Sequence, residues 1–150
     1  MQLTKAAVYY HFPAKELLLL ELTRPFLDGL SRMVTDLRTA DRTDPESVLA
    51  AYLDLFIEHI DMVGLLGREP ATLYHPDIGQ RARSLVNAIQ QQLAGPEPSA
   101  SRSVRTACAM GVIHALPQIP LRTLRSQRDT VLSAALAALG ESSAKRATAR

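Results

Sequence analysis

The sequence is poor in cysteine and aromatic residues and has no tryptophan, and each shortage excludes something. Cys108 is the only cysteine among the 150 residues, so an intrachain disulfide and a cysteine-based zinc site are excluded. Aromatic residues make up 5% of the chain, and leucine and alanine must therefore fill most of any core. No apolar run approaches the roughly 18 residues of a membrane span, and the polar start does not resemble a signal peptide. We therefore expect a cytoplasmic protein with no membrane partner.

Sequence motifs of catalytic and cofactor sites are also missing. No glycine-rich phosphate loop, nucleophile elbow or catalytic Cys–His pattern occurs. His59, His75 and His114 lack the Glu-x-x-His or His-x-x-x-His spacing that places two metal ligands on one helix face. We therefore expect no enzymatic activity, no metal and no other cofactor, with a helical enzyme or metal protein as the alternative class.

What the sequence does contain is apolar spacing at intervals of three and four residues, which is typical of helices. Asp44-Pro45 marks a helix start, and Gly95 and Gly140 mark helix ends. Pro25 predicts a kink or a break in the first long helix. The pattern predicts an all-α fold, with helices over residues 14–39, 45–62, 65–74, 78–93, 100–116 and 121–139.

The most informative segment is Leu3–Leu18, which contains two helix starts. Thr4 is an N-cap candidate, because its hydroxyl can accept a hydrogen bond from an orphan backbone N–H. A short helix would follow and end at Phe12, since Pro13 disfavours helical geometry in the residue before it. Glu16 would then lie in the first turn of the next helix, where a carboxylate suits the helix dipole.

Residues 9–16, Tyr-Tyr-His-Phe-Pro-Ala-Lys-Glu, resemble the DNA-binding signature of the TetR-type transcriptional regulators. In that family a recognition helix is followed by Tyr-x-His-Phe and by a Pro/Ser/Ala-Lys-Glu turn into a long helix. The resemblance implies a TetR-like fold with a partial helix-turn-helix head at residues 1–22. A ligand-binding and dimerisation bundle at 23–140 and a disordered tail at 141–150 would follow. The family has two helices before this point, whereas this chain begins at Met1, so we expect weak operator binding with little sequence preference.

The function that the resemblance implies is a repressor that a small-molecule effector releases from DNA. Its partners would be a pseudo-palindromic double-stranded DNA operator, the effector and a second copy of the chain. The alternative is a ligand-binding or dimerisation remnant that does not bind DNA. For His11, an exposed position near helix-end carbonyls is the alternative to DNA contact. The residues expected at DNA bases or phosphates are Thr4, Lys5, Ala6, Ala7, Tyr9, Tyr10, His11 and Lys15.

The body of the chain contains bulky apolar side chains with a few polar tips, which is the composition of a small-molecule pocket. Ordinary core packing is the alternative for each of them. The acidic neighbours Glu58 and Asp61 favour a hydrophobic or mildly cationic effector. The predicted pocket residues are Tyr52, Phe56, His59, Met62, Tyr74, Met110 and His114.

The last two long helices are the expected dimer interface. Small side chains on the first of them allow a second copy to approach closely, and leucines on the other would complete a two-fold four-helix contact. The predicted interface residues are Ala107, Gly111, Ala115, Leu132, Leu136 and Leu139.

Overall fold

The computed structural model of the chain describes residues 15–40, 44–68 and 76–141, and its regular elements there are all helical. The all-α prediction is confirmed for these ranges. None of the helices in them is both long enough and apolar enough to cross a bilayer. The elements are α1 (Lys15–Thr39), α2 (Pro45–Glu58), α3 (Ile60–Arg68), a π-helical turn (Pro76–Gln80), α4 (Arg81–Ala94), α5 (Ala100–His114), a 3-10 turn (Leu116–Gln118), α6 (Leu121–Ser126) and α7 (Arg128–Leu139).

Polar caps fix the starts of α2 and α5. The carboxylate of Asp44 accepts a hydrogen bond from the backbone N–H of Ser47 at 3.0 Å, and Pro45 opens the helix without an orphan donor. The hydroxyl of Ser99 accepts from the backbone N–H of Arg102 at 3.2 Å. These helix starts, which the sequence predicts, are confirmed.

Glycine ends α4 and α7 as predicted. Gly140 has φ +89° and ψ 14°, the left-handed conformation that a glycine adopts without steric cost. The N–H of Glu141 donates to the carbonyl of Leu136 at 2.9 Å, and the N–H of Gly140 donates to that of Ala137 at 3.0 Å. Together these bonds form a Schellman motif, which satisfies carbonyls that the end of α7 would otherwise leave without donors.

The first helix does not break at Pro25. α1 continues through the proline, and the hydroxyl of Thr23 bonds back to the carbonyl of Leu19 at 2.8 Å. The residues just beyond the proline are core residues, since Phe26 is 4% and Leu30 is 0% exposed. Burying these side chains offsets the roughly 3 kcal/mol that a proline costs inside a helix. Of the predicted kink or break, the break is therefore wrong.

Two segments predicted as single helices are each interrupted at one residue. His59 separates α2 from α3 with φ −111° and ψ 21°, and Gln127 separates α6 from α7 with φ −114° and ψ 17°. The residue after the second interruption, Arg128, donates two hydrogen bonds to the carboxylate of Asp54 on α2, at 2.5 and 2.7 Å. The start of α7 is therefore fixed against α2 by a contact distant in sequence.

The core lies around α2, which packs against both α1 and α7. α7 also runs along α5, and α4 joins α1 to α5. α3 packs on the 3-10 turn that follows α5, and this contact forms one wall of the site below. Six side chains of α2 are buried, namely Val48, Leu49, Tyr52, Leu53, Phe56 and Ile57.

Candidate ligand-binding site

Three of the predicted pocket residues form one aromatic cluster between α2 and α5. The ring of Phe56 lies 5.4 Å from that of Tyr52 and 5.6 Å from that of His114, measured between ring centroids. The rings of Tyr52 and His114 are 6.0 Å apart in an edge-to-face arrangement. Such distances are favourable for aromatic pairs, so the cluster holds α2 and α5 in a fixed relation.

A buried hydrogen bond orients the imidazole of this cluster. The hydroxyl of Tyr52, a residue with no exposed surface, lies 2.8 Å from Nε2 of His114. Burial raises the pKa of Tyr52 above its ordinary value, so the phenol keeps its proton. We assign the phenol as the donor to Nε2, because its buried O–H would otherwise have no acceptor among the described residues. Burial also lowers the pKa of His114, which favours the neutral imidazole. In that form Nδ1 carries the ring proton and is a hydrogen-bond donor.

The cluster extends to α1 through the ring of Phe26, which was not among the predicted pocket residues. Phe26 lies 5.8 Å from Phe56 at an interplanar angle of 75°, and 5.8 Å from His59 at 66°. His59, also a predicted pocket residue, contacts Phe26 and does not line the cavity described below. The first helix and the aromatic cluster are in direct contact through these rings.

A cavity of about 620 Å³ opens beside the cluster, between α3 and the 3-10 turn. Its size falls within the roughly 300–1,000 Å³ of small-molecule sites. Phe56 and Leu66 are buried residues of the cavity wall, whereas Gly67, Arg68 and Gln118 reach the surface. The described residues that line it are Phe56, Val63, Gly64, Leu66, Gly67, Arg68, His114, Pro117 and Gln118.

The space exists because two lining residues of α3 have no side chain. A Cβ at Gly64 would lie 3.7 Å from that of Pro117, and a Cβ at Gly67 would have no heavy atom within 4 Å. The sequence reading took these glycines as signs of a broken helix and missed both them and Arg68. The Gly-x-x-Gly spacing, which puts both glycines on one helix face, is the signal that was available.

The other predicted pocket residues that the structure describes do not line this cavity. Met110 is a core residue at 1% exposure, and Met62 packs against the core at its edge. Tyr74 lies outside the described residues. Neither acidic residue expected near the ligand is in the described lining. Glu58 lines a separate groove between α1 and α2, and Asp61 lines an adjoining depression that shares Gly64, Arg68, Pro117 and Gln118 with the cavity. The described lining therefore gives no direct support to the mildly cationic option.

A larger depression of about 800 Å³ lies near the C-terminal end of α4, away from the aromatic cluster. Asparagine, glutamine and residues of the turn line most of it, and it includes no histidine or aromatic side chain. It lacks the combination of apolar wall and few polar groups that is typical of a ligand site. Within the described ranges, no three His, Cys, Asp or Glu side chains group to hold a metal ion.

The predicted DNA-binding residues lie almost entirely outside the part of the chain that the structure describes. The backbone of Lys15 is the first position of α1, and nothing is described of its side chain. The others stay predictions from the sequence, namely Thr4, Lys5, Ala6, Ala7, Tyr9, Tyr10 and His11.

The predicted dimer residues divide into three groups by exposure. Ala107, Gly111 and Ala115 are exposed on the outer face of α5, where Val104 is also 62% exposed. Leu132 on α7 is half-buried. The remaining two, Leu136 and Leu139, are only 6% and 1% exposed, because α7 packs along α5 within the same chain. These two leucines therefore belong to the chain's own core and not to the predicted surface.

Comparison of the chain with protein-family models, with curated proteins and with solved structures gives no match.

Proposed function

We propose that the chain is a TetR-like transcriptional regulator, a repressor that a small molecule releases from its operator. In this proposal residues 3–18 supply DNA contacts and the cavity beside Phe56 and His114 binds the small molecule. The single observation that carries the proposal is the contact of Phe26 on α1 with Phe56 on the cavity wall. It joins the candidate ligand site to the helix that continues directly from the DNA-binding-like segment.

The coupling would act through the position of α1. Phe26 is 4% exposed and meets Phe56 edge to face, so a ligand that displaces Phe56 must also displace or strain Phe26. Gly29, almost one turn later on α1, faces Leu55 so closely that an added Cβ would lie 2.5 Å from a methyl carbon. α1 is thus closely packed on α2. A shift of α1 would reorient the two DNA-binding segments of a dimer, and a ligand with different affinities for the two arrangements would bias DNA binding.

The exposed outer face of α5 supports the dimer in this proposal. Val104, Ala107, Gly111 and Ala115 form a band of small and apolar side chains along one side of the helix. Small side chains let two helices approach closely. A second copy packed on this band would place two DNA-binding segments on one two-fold axis, as a pseudo-palindromic operator requires.

The experiment is a DNA-binding measurement with a matched pair of lysine variants. Because the chain from Met1 is expected to bind its operator weakly and with little sequence preference, two helices of the kind that precede this segment in the family are first placed ahead of it. Duplexes enriched by this extended chain from a random-sequence library are labelled, and binding is followed by fluorescence anisotropy at physiological salt. Lys5→Ala should weaken binding to the enriched sequence by about 1–3 kcal/mol, since Lys5 is the expected partner of a guanine. Lys145→Ala, which removes the same charge from the C-terminal tail, should leave sequence preference unchanged.

A second candidate is a ligand-binding and dimerisation module that does not bind DNA. The observations that favour it are the cavity beside Phe56 and His114 and the exposed band on α5, which would serve ligand binding and dimerisation by themselves. If Lys5→Ala and Lys145→Ala reduce DNA binding equally and no sequence is enriched, the DNA-binding proposal is refuted and this second candidate is favoured.

A further inference from the structure

The described lining of the cavity carries a positive charge and no negative charge. Among the described residues that line it, Arg68 is the only ionised group and none is a carboxylate. Within the described ranges Arg68 forms no salt bridge or side-chain hydrogen bond, in contrast to Arg81, Arg102 and Arg128. Asp61, on the same helix, lines the adjacent depression and makes no ion pair with Arg68. The guanidinium therefore offers its donors at the mouth of the cavity.

His114 adds a second donor to the lining. Its Nε2 accepts the hydroxyl proton of the buried Tyr52, and in this tautomer the ring proton is on Nδ1. His114 as a whole is an exposed residue, so the part of the ring not covered by Tyr52 is accessible. A neutral imidazole that donates from Nδ1 suits an acceptor atom, such as a carboxylate or carbonyl oxygen.

The remainder of the wall is apolar. Phe56, Val63 and Leu66 present aromatic and aliphatic carbon, and Pro117 closes the side toward the 3-10 turn. These groups suit an aromatic or aliphatic body, which gains free energy when it leaves water. A ligand with a cationic group would be repelled by Arg68, and none of the described lining residues is an acid that would offset this repulsion.

We infer that the ligand of this cavity is an apolar molecule with a carboxylate or similar anionic group, whose head binds Arg68 and His114. This inference rests on the proposed function only in taking the cavity as the ligand site. It assigns the chemical class of the effector, and it replaces the cationic class that the sequence suggested.

The test uses three compounds that share a phenylbutyl skeleton and differ in the terminal group: 4-phenylbutyrate, 4-phenylbutan-1-ol and 4-phenylbutylamine. Binding to the full chain is measured by isothermal titration calorimetry at pH 7.5, where the first is an anion, the second neutral and the third a cation. We expect 4-phenylbutyrate to bind at least tenfold more tightly than the other two. Arg68→Gln should reduce this preference to less than threefold, whereas Arg122→Gln, the same change on the exposed face of α6, should preserve it.

A second variant locates the binding. Gly67→Leu places a side chain in the cavity at a position where a Cβ has no heavy atom within 4 Å, so the fold should tolerate it. Gly67→Leu should retain the helical circular dichroism spectrum of the wild type and should lower the affinity for 4-phenylbutyrate at least tenfold. Four outcomes would each overturn the inferred ligand class. They are equal affinity for the three compounds, preference for the amine, no binding of any of them, and an unchanged preference in Arg68→Gln. None of these outcomes affects the Lys5 measurement, so failure of the ligand class and failure of the regulator are distinguishable.

Discussion

The hydroxyl of Tyr52 on α2 lies 2.8 Å from Nε2 of His114 on α5, and this bond joins the buried core to the cavity wall. One ring nitrogen of His114, Nε2, is therefore bonded to the core, and the other, Nδ1, is available to a ligand near the cavity. Two consequences can be measured without knowledge of the ligand, namely the dependence of stability on pH and the titration of His114 itself.

Stability should fall as the pH is lowered through about 6.5, the ordinary pKa of histidine, because burial lowers the pKa of His114 in the folded chain. Between the folded and the unfolded pKa the unfolded chain binds the proton more readily, and protonation therefore favours unfolding. The contribution of His114 is fully present above the unfolded pKa and declines until the pH is below the folded pKa. Urea unfolding at pH 7.5 and at pH 5 measures the change.

The control for this prediction is His114→Gln, which cannot titrate and should show a smaller loss of stability between the two pH values. In Tyr52→Phe, which removes the donor to Nε2, the pKa of His114 measured by NMR should rise relative to the wild type. An identical pH dependence of wild type and His114→Gln would contradict the assignment of a neutral imidazole whose pKa is lowered in the folded chain.

Arg102 should contribute to stability by capping two helices at once. Its guanidinium donates to the carbonyl of Leu93 at 2.9 Å and to that of Leu139 at 3.4 Å, near the C-terminal ends of α4 and α7. Charge-assisted hydrogen bonds to these carbonyls also suit the helix dipoles. Arg102→Met keeps much of the apolar stem and should lower the free energy of unfolding by about 1–2 kcal/mol.

The matched control for Arg102 is Arg122→Met on α6, an exposed position. Surface substitutions of this kind usually change stability by less than about 0.5 kcal/mol. Chemical unfolding of the two variants in the same buffer measures their free energies of unfolding. Equal losses of this free energy in both variants would show that Arg102 does not act as a cap.

The exposed band on α5 should be where a second copy binds. A Cβ at Gly111 would have no heavy atom within 4 Å in the single chain, so Gly111→Leu should leave the fold of one copy intact. At a close helix–helix contact the same side chain would overpack the interface, at a cost of roughly 1–3 kcal/mol. We expect sedimentation velocity at micromolar concentration to show a dimer for the wild type and a shift toward monomer for Gly111→Leu.

Ser84→Leu adds the same leucine at an exposed position of α4 and should leave the dimer unchanged. A monomeric wild type would end the idea of a dimer through α5. A dimer that tolerates Gly111→Leu would place the interface on another surface.

The ends of several helices were predictable because they depend on local chemistry. Asp44-Pro45 and Gly140 act through backbone hydrogen bonds within a few residues of themselves. The interruptions at His59 and Gln127 were not predictable from the sequence, since neither residue breaks a helix by its own preference. At Gln127 the structure shows a distant contact instead, between Arg128 and Asp54.

The candidate site was predictable only in part, for the same reason. Tyr52, Phe56 and His114 were identified by residue type, because aromatic bulk with a polar tip is characteristic of ligand sites. Arg68 and Gln118 become part of the cavity only because α3 packs on the 3-10 turn, a contact that no local pattern indicates. The charge of the site, and hence the class of its ligand, depends on that packing.

The most direct test of the proposed regulator is its DNA occupancy in the source organism. The protein is tagged at its own locus, expressed at its natural level and immunoprecipitated with cross-linked DNA, which is then sequenced. We predict enrichment of a small number of sites that share a pseudo-palindromic sequence, and loss of this enrichment in Lys5→Ala but not in Lys145→Ala. A wild-type protein that is present, folded and dimeric, yet enriches no DNA above an untagged control, would contradict the proposal.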